Sequence, residues 1–321
     1  RAHVETCHFC KGNEEKTPPE ILAFPDPENW EIRIVPNLFP VLGDDNPQTG
    51  ITFGLQQVID GYGRHEVIID NASHGIAIHE MEKEHLQNLF SIYRQRMQEL
   101  YESDPRLKYV LVFKNFGPAA GASIPHTHSQ IIATPVVPQN VEDEVINSRQ
   151  YHAKYNQCVF CSLIDEALTY EATIYDRESG EIRRKIDVGQ YVVERSRHFV
   201  AIKPFASRYE WELHILPLDH QADFLQVTAD QLEDFAQLLK RTMQRLDQVI
   251  GGAQYNFFLH SKPHGKDYEN CNESYHWHLE ICPRTSIPTG FELGSGLFVS
   301  TISPEDAASA LRAVELPDES A

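Results

Sequence analysis

The segment GASIPHTHSQIIATP, residues 121–135, carries polar side chains at alternate positions of what otherwise reads as a buried β-strand. Successive side chains of a strand point to opposite faces of a sheet, so every second residue shares a face. His126, His128 and Gln130 are therefore predicted to lie side by side. Two imidazoles and an amide in one row favour a chemical role. The simpler alternative is that His128 only packs beside a metal site.

The length and the net charge of the chain limit the number of domains and the kinds of partner that it can bind. A chain of 321 residues is long enough for two domains with a sizeable core. The net charge of −19 argues against binding nucleic-acid polymers or anionic membranes through a basic face, but not against binding small anions in a pocket. We find no signal peptide and no apolar run of the roughly 18 residues that span a membrane. We therefore expect a cytoplasmic protein that binds neither membrane nor nucleic acid.

The main features of the sequence occur twice in the same order. Each half has a CxxC pair (7–10 and 158–161), a lone histidine, a long amphipathic helix (80–103 and 228–250) and an HxH strand (126–128 and 276–278). Thr228 and Gln231 form a predicted capping box on the second helix. We interpret this order as an internal duplication, with domains at residues 1–145 and 146–321. Coincidence between two unrelated domains is the alternative.

The pattern of strands points to the fold class. Residues 108–117 read as a strand, 197–217 as a hairpin, and 251–283 as two strands joined by a long polar loop. Strands and single helices alternate without regular βαβ units, which predicts an α+β fold of mostly antiparallel sheets with packed helices. The segment TPVVPQNVEDEV, residues 134–145, is predicted to cross from one half to the other.

Each CxxC pair predicts a metal site. A CxxC turn supplies two thiolates, and a tetrahedral zinc site needs two further ligands, often histidines. The predicted sets are Cys7, Cys10, His74 and His126 in the first half, and Cys158, Cys161, His198 and His276 in the second. Four protein ligands per ion indicate closed, structural sites, hence two zinc ions per chain. Iron is an alternative at the second site, with His260 and His278 as replacement ligands. Cys271 and Cys282 are interpreted as ordinary thiols.

If zinc holds His126, then His128 is its free neighbour on the same face. A neutral imidazole whose Nδ1–H is held by a backbone carbonyl offers Nε2 as a nucleophile, and Gln130 can donate to an oxyanion. Upstream, the segment FKNFGPAAGAS (113–123) supplies two glycines for close backbone approach to a ligand and two side-chain donors for phosphate oxygens. These are Gly117 and Gly121, and Asn115 and Ser123. The strand is therefore predicted to attack a nucleotide α-phosphate through His128.

Four segments resemble the galactose-1-phosphate uridylyltransferase family of the HIT superfamily: CHFCKGNEEKTPPEI (7–21), VPNLFP (35–40), FKNFGPAAGAS (113–123) and HTHSQIIATP (126–135). The resemblance implies two HIT-like halves and a homodimer. It implies that His128 is the nucleophile and that Cys7, Cys10, His74 and His126 bind zinc. It also implies nucleotide and phosphate contacts at Asn37, Asn115, Gly121, Ser123 and Gln130. Leu38, Phe39 and Gly117 are further candidates for contacts with the nucleotide and its phosphates.

Two departures concern specificity within that family. Leu38 stands where the uridylyltransferases carry an Asp that holds uridine, and Ser295 and Gly296 stand near their hexose-reading Tyr-Glu pair. Both departures, and the second CxxC site, are closer to the ADP-glucose phosphorylase branch. Hydrolases of the superfamily carry a third His in place of Gln130. The second-half motif His276-Trp-His278-Leu-Glu280 lacks that Gln and is interpreted as a structural copy.

The function expected from the resemblance is a ping-pong nucleotidyltransferase. It would move a nucleoside monophosphate from a nucleotide sugar to a sugar-1-phosphate or phosphate through a nucleotidyl-His128 intermediate. One alternative is ADP-glucose phosphorylase, which transfers AMP to phosphate. Alternatives of another class are a dinucleoside polyphosphate hydrolase and a non-catalytic, zinc-stabilised nucleotide-binding protein.

Overall fold

The computed structural model describes residues 3–45, 50–169 and 171–317. Its strands are β1 Leu22–Phe24, β2 Ile32–Pro36, β3 Gly50–Phe53, β4 Gln56–Ile59, β5 Arg64–Ile69, β6 Tyr109–Phe116, β7 His128–Thr134, β8 Glu171–Tyr175, β9 Ile182–Asp187, β10 Val192–Arg195, β11 Phe199–Ile202, β12 Leu213–Pro217, β13 Tyr255–His260 and β14 His278–Pro283. Its helices are α1 Lys83–Ser103, α2 Gln139–Tyr155, α3 Val159–Thr169, α4 Ala229–Ile250, α5 Gly290–Ser295 and α6 Pro304–Arg312. None of the described helices is long and apolar enough to cross a bilayer.

Ten strands form one continuous sheet in the order β1-β2-β5-β7-β6-β13-β14-β12-β11-β10. Each of the pairings that build this sheet is antiparallel. Outward from the central β6–β13 pair, β7 matches β14, β5 matches β12, β2 matches β11 and β1 matches β10. This two-fold order confirms the predicted α+β fold and its internal duplication. The HxH strands β7 and β14 hold matching places on either side of the joint.

The two long helices cover one face of the sheet. α1 and α4 lie against each other, with the rings of Phe90 and Phe235 4.8 Å apart. The Thr228–Gln231 capping box at the start of α4 is present as predicted. Buried side chains from both halves form one apolar cluster, from Leu89 on α1 to Leu239 on α4. Burial of this apolar surface is the main favourable term that holds the helices on the sheet.

Helix α2 occupies the expected boundary between the halves. Residues 139–145 of the predicted crossing segment form the beginning of α2, which starts after Pro138. A division at residues 145 and 146 would fall inside this helix, and the sheet and the apolar cluster run across both halves. The division into two domains therefore stays a prediction, while the two-fold order of the sheet is an observed feature.

The second face of the sheet is polar, and the strand register shows which residues share it. Gln130 lies opposite Val67 on β5 and opposite Phe113 on β6, and Phe113 lies opposite Phe258 on β13. By the same alternation the face carries His65, His128, Asn115, Asn256, His260, His278, Glu280 and His214. Helix α2 lies over the second half of this face, where Glu144 accepts a hydrogen bond from Tyr275 and pairs with His260.

Two short hairpins stand apart from the main sheet. Strands β3 and β4 form one and strands β8 and β9 form the other. The β3–β4 hairpin exposes apolar side chains to solvent, among them Phe53, Leu55 and Val58. An isolated two-stranded sheet is at best marginally stable in water. Contacts that cover these exposed side chains would therefore stabilise the hairpin.

Candidate active site and metal centres

The first Cys/His cluster forms as the sequence predicts. Cys10 Sγ lies 3.4 Å from His74 Nδ1, and both Cys7 Sγ and Cys10 Sγ lie 3.6 Å from His126 Nδ1. Zn–S bonds of about 2.3 Å and Zn–N bonds of about 2.0–2.1 Å at the tetrahedral angle would place S and N about 3.5 Å apart. His126 Nε2 donates to the carbonyl of Asn71 at 2.7 Å, which leaves Nδ1 unprotonated for an ion. This cluster can hold a metal ion, and its donor set and distances fit zinc.

The second cluster contains a histidine that the sequence reasoning missed. Cys161 Sγ lies 3.3 Å from His220 Nδ1 and 3.5 Å from His276 Nδ1, and Cys158 completes the set. His220 Nε2 and His276 Nε2 donate to the carbonyls of Asn272 and Pro217, at 2.8 and 2.9 Å. The donor set therefore matches that of the first cluster. His220 is exposed, so this site is the more open of the two.

The prediction that His198 completes this set is corrected to His220. His198 lies at the start of β11 against the first turn of α4, where Asp230 accepts from its Nε2 at 2.9 Å. A signal for His220 exists in the sequence. His74 precedes the first residue of α1, Lys83, by nine positions, and His220 precedes the first residue of α4, Ala229, by the same nine. His74 follows β5 and His220 follows β12, and these two strands match each other in the two-fold order of the sheet. His198 instead follows β10, which matches β1.

Strand β7 begins at His128, the predicted nucleophile. Its Nδ1 donates to the carbonyl of His126 at 2.7 Å, so Nε2 is the unprotonated nitrogen of the neutral ring. The ring of Phe9, from the first CxxC turn, packs against His128 with centroids 5.2 Å apart. Burial lowers the pKa of His128, with the nearby Lys114 acting in the same direction. The imidazole is therefore kept neutral, the form that a nucleophile requires.

A fully buried polar network supports this strand from the helix side of the sheet. Lys114 Nζ donates to Asp70 at 2.6 Å, to Thr127 Oγ1 at 2.8 Å and to the carbonyl of His128 at 3.0 Å. Ser129 and Tyr93 donate to the same carboxylate. Removing one partner of a buried ion pair is strongly destabilising because the other charge stays buried, so this network fixes the strand in one position.

Gln130 lies next to His128 on the polar face and is held by a residue that the sequence reasoning did not consider. His65, on β5, donates from Nε2 to Gln130 Oε1 at 2.8 Å. The contact fixes one end of the Gln130 amide. Its signal in the sequence is weak, because His65 is distant from Gln130 along the chain and belongs to no recognised motif.

The predicted phosphate loop is supported by the second half of the chain. Asn256, on β13, donates to Asn115 Oδ1 and to the carbonyl of Ala120, each at 2.8 Å. Asn115 is thereby oriented with its NH₂ group available to a ligand. Gly117 has a φ of 85°, and a Cβ at this position would lie 2.5 Å from the Gln254 side chain. The loop therefore needs glycine at 117, and it needs β13 as its support.

The remaining predicted contacts lie in loops and at a helix end, outside the strands of the sheet. Asn37 Oδ1 accepts from the backbone N–H of Phe39 at 2.9 Å and so shapes the segment that follows β2. Leu38 and Phe39 are 60% and 82% exposed, which leaves both side chains open to a ligand. Gly121 and Ser123 are exposed in the loop before β7, and Ser123 lines a cavity of about 300 Å³ beside the first metal cluster. Ser295 and Gly296 lie at the end of α5, at the surface.

The second half repeats the backbone arrangement but has different electrostatics. His278 Nδ1 donates to the carbonyl of His276 at 3.0 Å, as His128 does to His126. Burial alone would lower the pKa of His278, but Glu280 and Glu144 raise it to about 9. His278 is therefore a protonated, buried cation. A protonated imidazole has no lone pair to offer, which agrees with the interpretation of this strand as a structural copy.

Comparison with known proteins adds relatives that match almost the whole chain. Residues 32–138 match the family model described as galactose-1-phosphate uridyl transferase, N-terminal domain. An ADP-glucose phosphorylase of Arabidopsis thaliana is 31% identical over 97% of this chain and 82% of its own length. A galactose-1-phosphate uridylyltransferase of Thermotoga maritima is 26% identical over 97% of this chain and 90% of its own length. By name these relatives are a phosphorylase that acts on ADP-glucose and a uridylyltransferase.

The chain belongs to the galactose-1-phosphate uridylyltransferase family. Among solved structures, an ADP-glucose phosphorylase from Arabidopsis thaliana with bound ADP-glucose superimposes with a TM-score of 0.81 at 29% identity. The match covers 98% of this chain and 93% of that one. The resemblance expected from the four sequence segments is thus confirmed along the length of the molecule.

Proposed function

We propose that the protein is a nucleotidyltransferase that carries a nucleoside monophosphate on His128. The observation that carries this proposal is the hydrogen bond from His128 Nδ1 to the carbonyl of His126, which directs the lone pair of Nε2 away from the backbone. Membership of the family and the Gln130 and Asn115 donors beside His128 support the same conclusion.

The reaction follows from this geometry in two displacements. The lone pair of His128 Nε2 forms a bond to the α-phosphorus of a nucleotide sugar, and the bond from that phosphorus to the sugar-1-phosphate oxygen breaks. The Nδ1 proton stays in its bond to the carbonyl of His126, which stabilises the positive ring. An acceptor phosphate oxygen then attacks the same phosphorus and restores neutral His128. Amide donors from Gln130 and Asn115 stabilise the charge on the transferred group.

We propose ADP-glucose as the favoured donor and phosphate as the favoured acceptor. Leu38 offers no acceptor for uridine, whereas an adenine can gain apolar contact with Leu38 and stack on the exposed Phe39 ring. The ADP-glucose phosphorylase among the relatives supports this choice. Uridylyl transfer between UDP-glucose and galactose-1-phosphate is the second candidate, supported by the Thermotoga maritima relative.

We further propose that the two Cys/His clusters each hold one structural zinc ion. The first ion would fix His126 and the CxxC turn that carries Phe9, and thus the place of His128. The second would fix the matching strand. Zinc bound by two thiolates and two imidazoles stabilises the fold without entering the reaction. Iron held by the same four ligands is the alternative at the second site. His260 and His278, expected as replacement ligands, lie instead in a separate group with Glu144 and Glu280. The protein is expected to act as a homodimer.

A labelling experiment tests the function. Protein is incubated with ADP-glucose or UDP-glucose that is radiolabelled in the α-phosphate, without acceptor. Label should enter the protein as a phosphoramidate, which is labile in acid and stable in base, and sugar-1-phosphate should be released. Added phosphate should then remove the label from the protein as nucleoside diphosphate. His128→Asn should abolish labelling with unchanged folding, because His128 is not in either metal cluster. Turnover by His128→Asn at a comparable rate would exclude this nucleophile.

The same assay separates the rival functions. A hydrolase would release free nucleotide at the same rate with and without phosphate or sugar-1-phosphate. A nucleotide-binding protein without activity would bind the donor but neither take up label nor release sugar-1-phosphate. Acceptor-dependent loss of the label is expected only for the transferase.

A further inference from the structure

We propose that His65 is a positioning residue that holds the amide of Gln130 with its NH₂ group toward the transferred phosphoryl group and links it to the segment that follows β2. The proposal rests on the proposed function, because it assigns the contact that prepares one of its donors. His65 is 8% exposed and shares the polar sheet face with Gln130.

The backbone determines which nitrogen of His65 carries the proton. The N–H of Val41 donates to His65 Nδ1 at 3.2 Å. A backbone amide can only donate, so Nδ1 must be the acceptor and the proton of the neutral ring lies on Nε2. Burial also lowers the pKa of His65, which favours the neutral ring. The tautomer of His65 is therefore set by the main chain.

This tautomer in turn orients Gln130. His65 Nε2 lies 2.8 Å from Gln130 Oε1, and because Nε2 is a donor, the partner atom must be the amide oxygen. In the opposite orientation two N–H groups would face each other. The NH₂ group of Gln130 is thus directed away from His65, along the face that carries His128. Without this contact the amide would be free to rotate and to present its oxygen to an anionic phosphoryl group.

His65 also contacts the segment 37–41, which is predicted to read the nucleotide. The N–H of Asn37 donates to the carbonyl of His65 at 3.0 Å. Asn37 Nδ2 also lies 3.0 Å from His65 Nε2, but both atoms are donors in this tautomer, so this contact is not a hydrogen bond. The Asn37 amide can turn away, whereas the main-chain N–H of Val41 can only donate, so the main-chain contact decides the tautomer. Together with the Val41 contact, this main-chain bond joins segment 37–41 to His65 and, through His65, to Gln130. A nucleotide that orders this segment therefore stabilises the ring position that Gln130 needs.

Two substitutions separate the donor role of the ring from its acceptor role. The amide of glutamine can occupy the place of Nε2, and that of asparagine the place of Nδ1. His65→Gln therefore keeps a donor for Gln130, whereas His65→Asn keeps a partner for Val41 and loses the contact with Gln130. His65→Leu removes both. We expect His65→Asn and His65→Leu to lower kcat by about ten- to a hundredfold with little change in KM, since full loss of one oxyanion donor costs about 10²–10³.

His65→Gln as a rescue variant, and a double-substitution cycle with Gln130→Ala, test whether His65 acts through Gln130. His65→Gln should recover at least about tenfold in kcat over His65→Asn. In a Gln130→Ala background the three His65 variants should differ by less than about threefold, because the residue through which they act is gone. Equal kcat values for His65→Gln and His65→Asn, or an undiminished loss in the Gln130→Ala background, would overturn the proposal.

A spectroscopic measurement tests the tautomer without any turnover. In protein with ¹⁵N-labelled histidine, the His65 ring should show a proton on Nε2 and an unprotonated, hydrogen-bonded Nδ1. The Nδ1–H tautomer would overturn the proposal even if the variants failed to fold. If the wild-type protein transferred no nucleotidyl group, the proposed function would fail while this spectrum still reported on the contact itself.

Discussion

His128 and His278 occupy matching places in the two halves and differ in what surrounds Nε2. Each donates from Nδ1 to the carbonyl of the histidine two positions earlier. His278 lies next to two carboxylates that keep it protonated, whereas Gln130, a neutral amide, stands beside His128 where Glu280 stands beside His278. A neutral amide thus replaces one of the two carboxylates that raise the pKa of His278, and this is one difference between β7 and β14.

Replacing Gln130 should slow the reaction without blocking it. Gln130→Ala removes one donor to the phosphoryl oxygens but leaves His128 and the first metal cluster in place. We expect the rate of nucleotidyl-enzyme formation to fall about 10²–10³-fold, as for other single oxyanion donors. Rapid-quench labelling measures this rate directly. A loss below about threefold would mean that Gln130 does not contact the transferred group.

Leu38 is predicted to set the choice of base. Wild-type protein should have the higher kcat/KM with ADP-glucose. A preference for UDP-glucose of about a hundredfold, roughly 2.7 kcal/mol, would contradict the proposed donor. Leu38→Asp restores an acceptor for uridine and should raise the UDP-glucose to ADP-glucose ratio about tenfold. Leu38 is 60% exposed, so folding should be unaffected. Leu38→Ala is the control, because it removes the leucine without adding an acceptor and should not favour UDP-glucose.

The residues of the site that the sequence predicted belong to local motifs. His126, His128 and Gln130 are spaced by two on one strand, and alternation alone puts them on one face. His65 and Asn256 reach the site from β5 and β13, and Gln254 from the residue just before β13. No local spacing in the sequence indicates that those strands lie near the site. Their roles depend on tertiary pairing, which a single sequence does not specify. Such supporting residues become visible only when the sheet order is known.

At the scale of elements, the second metal cluster can be tested with a matched pair of histidines. His220→Ala should lower the metal content from two ions per chain toward one, as should Cys158→Ser. His198→Ala should leave two, because His198 binds Asp230 outside the cluster. Elemental analysis measures the metal, and thermal unfolding should show a lower Tm only where metal is lost. The opposite pattern would return the ligand role to His198.

Asp104, at the end of helix α1, should make the free energy of unfolding depend on pH in the acidic range. Asp104 accepts hydrogen bonds from Arg106 and from the Tyr62 hydroxyl. Those from Arg106 do most to hold the pKa of Asp104 well below its ordinary value. Because the folded-state pKa lies below the unfolded value of about 3.9, the stabilisation is fully present above about pH 4 and is lost as the pH falls further.

Asp104→Asn should therefore cost about 1 kcal/mol at pH 7 and progressively less below pH 4. Unfolding in urea from pH 7 to pH 3 gives the difference from wild type. Asp44→Asn is the matched control, because Asp44 forms a surface ion pair with Arg64 and such pairs contribute little. A difference for Asp104→Asn that stayed constant down to pH 3 would contradict this assignment.

Helices α1 and α4 were predictable because apolar residues recur at helical spacing over more than twenty residues in each. In α4 a capping box also marks the first turn. The expected crossing segment was not read as a helix, since its prolines and acidic residues resemble a linker. Residues 139–145 continue without a break into 146–155 as helix α2, which lies over the second half of the polar face. Burial against that face is what makes this segment helical, and burial cannot be read from local composition.

At the scale of the whole molecule, the protein is expected to be a homodimer. The exposed apolar side chains of the β3–β4 hairpin provide a surface that a second copy could cover. Sedimentation equilibrium should give twice the chain mass of 36.7 kDa at micromolar concentration. Phe53→Ser and Val58→Ser on this hairpin would reveal whether it takes part. A wild-type mass of one chain across this range would remove the dimer from the proposed function.

The β6–β13 joint has a consequence for how the two halves depend on each other. If the chain were divided there, each part would present a bare edge strand from the middle of a sheet, a ready template for aggregation. The first half would also lose Asn256 and Gln254, which hold its phosphate loop. The second half can therefore lack a reactive histidine of its own, but the first half still requires its strand β13. We expect co-expressed halves to regain activity only if they re-form this edge-to-edge seam.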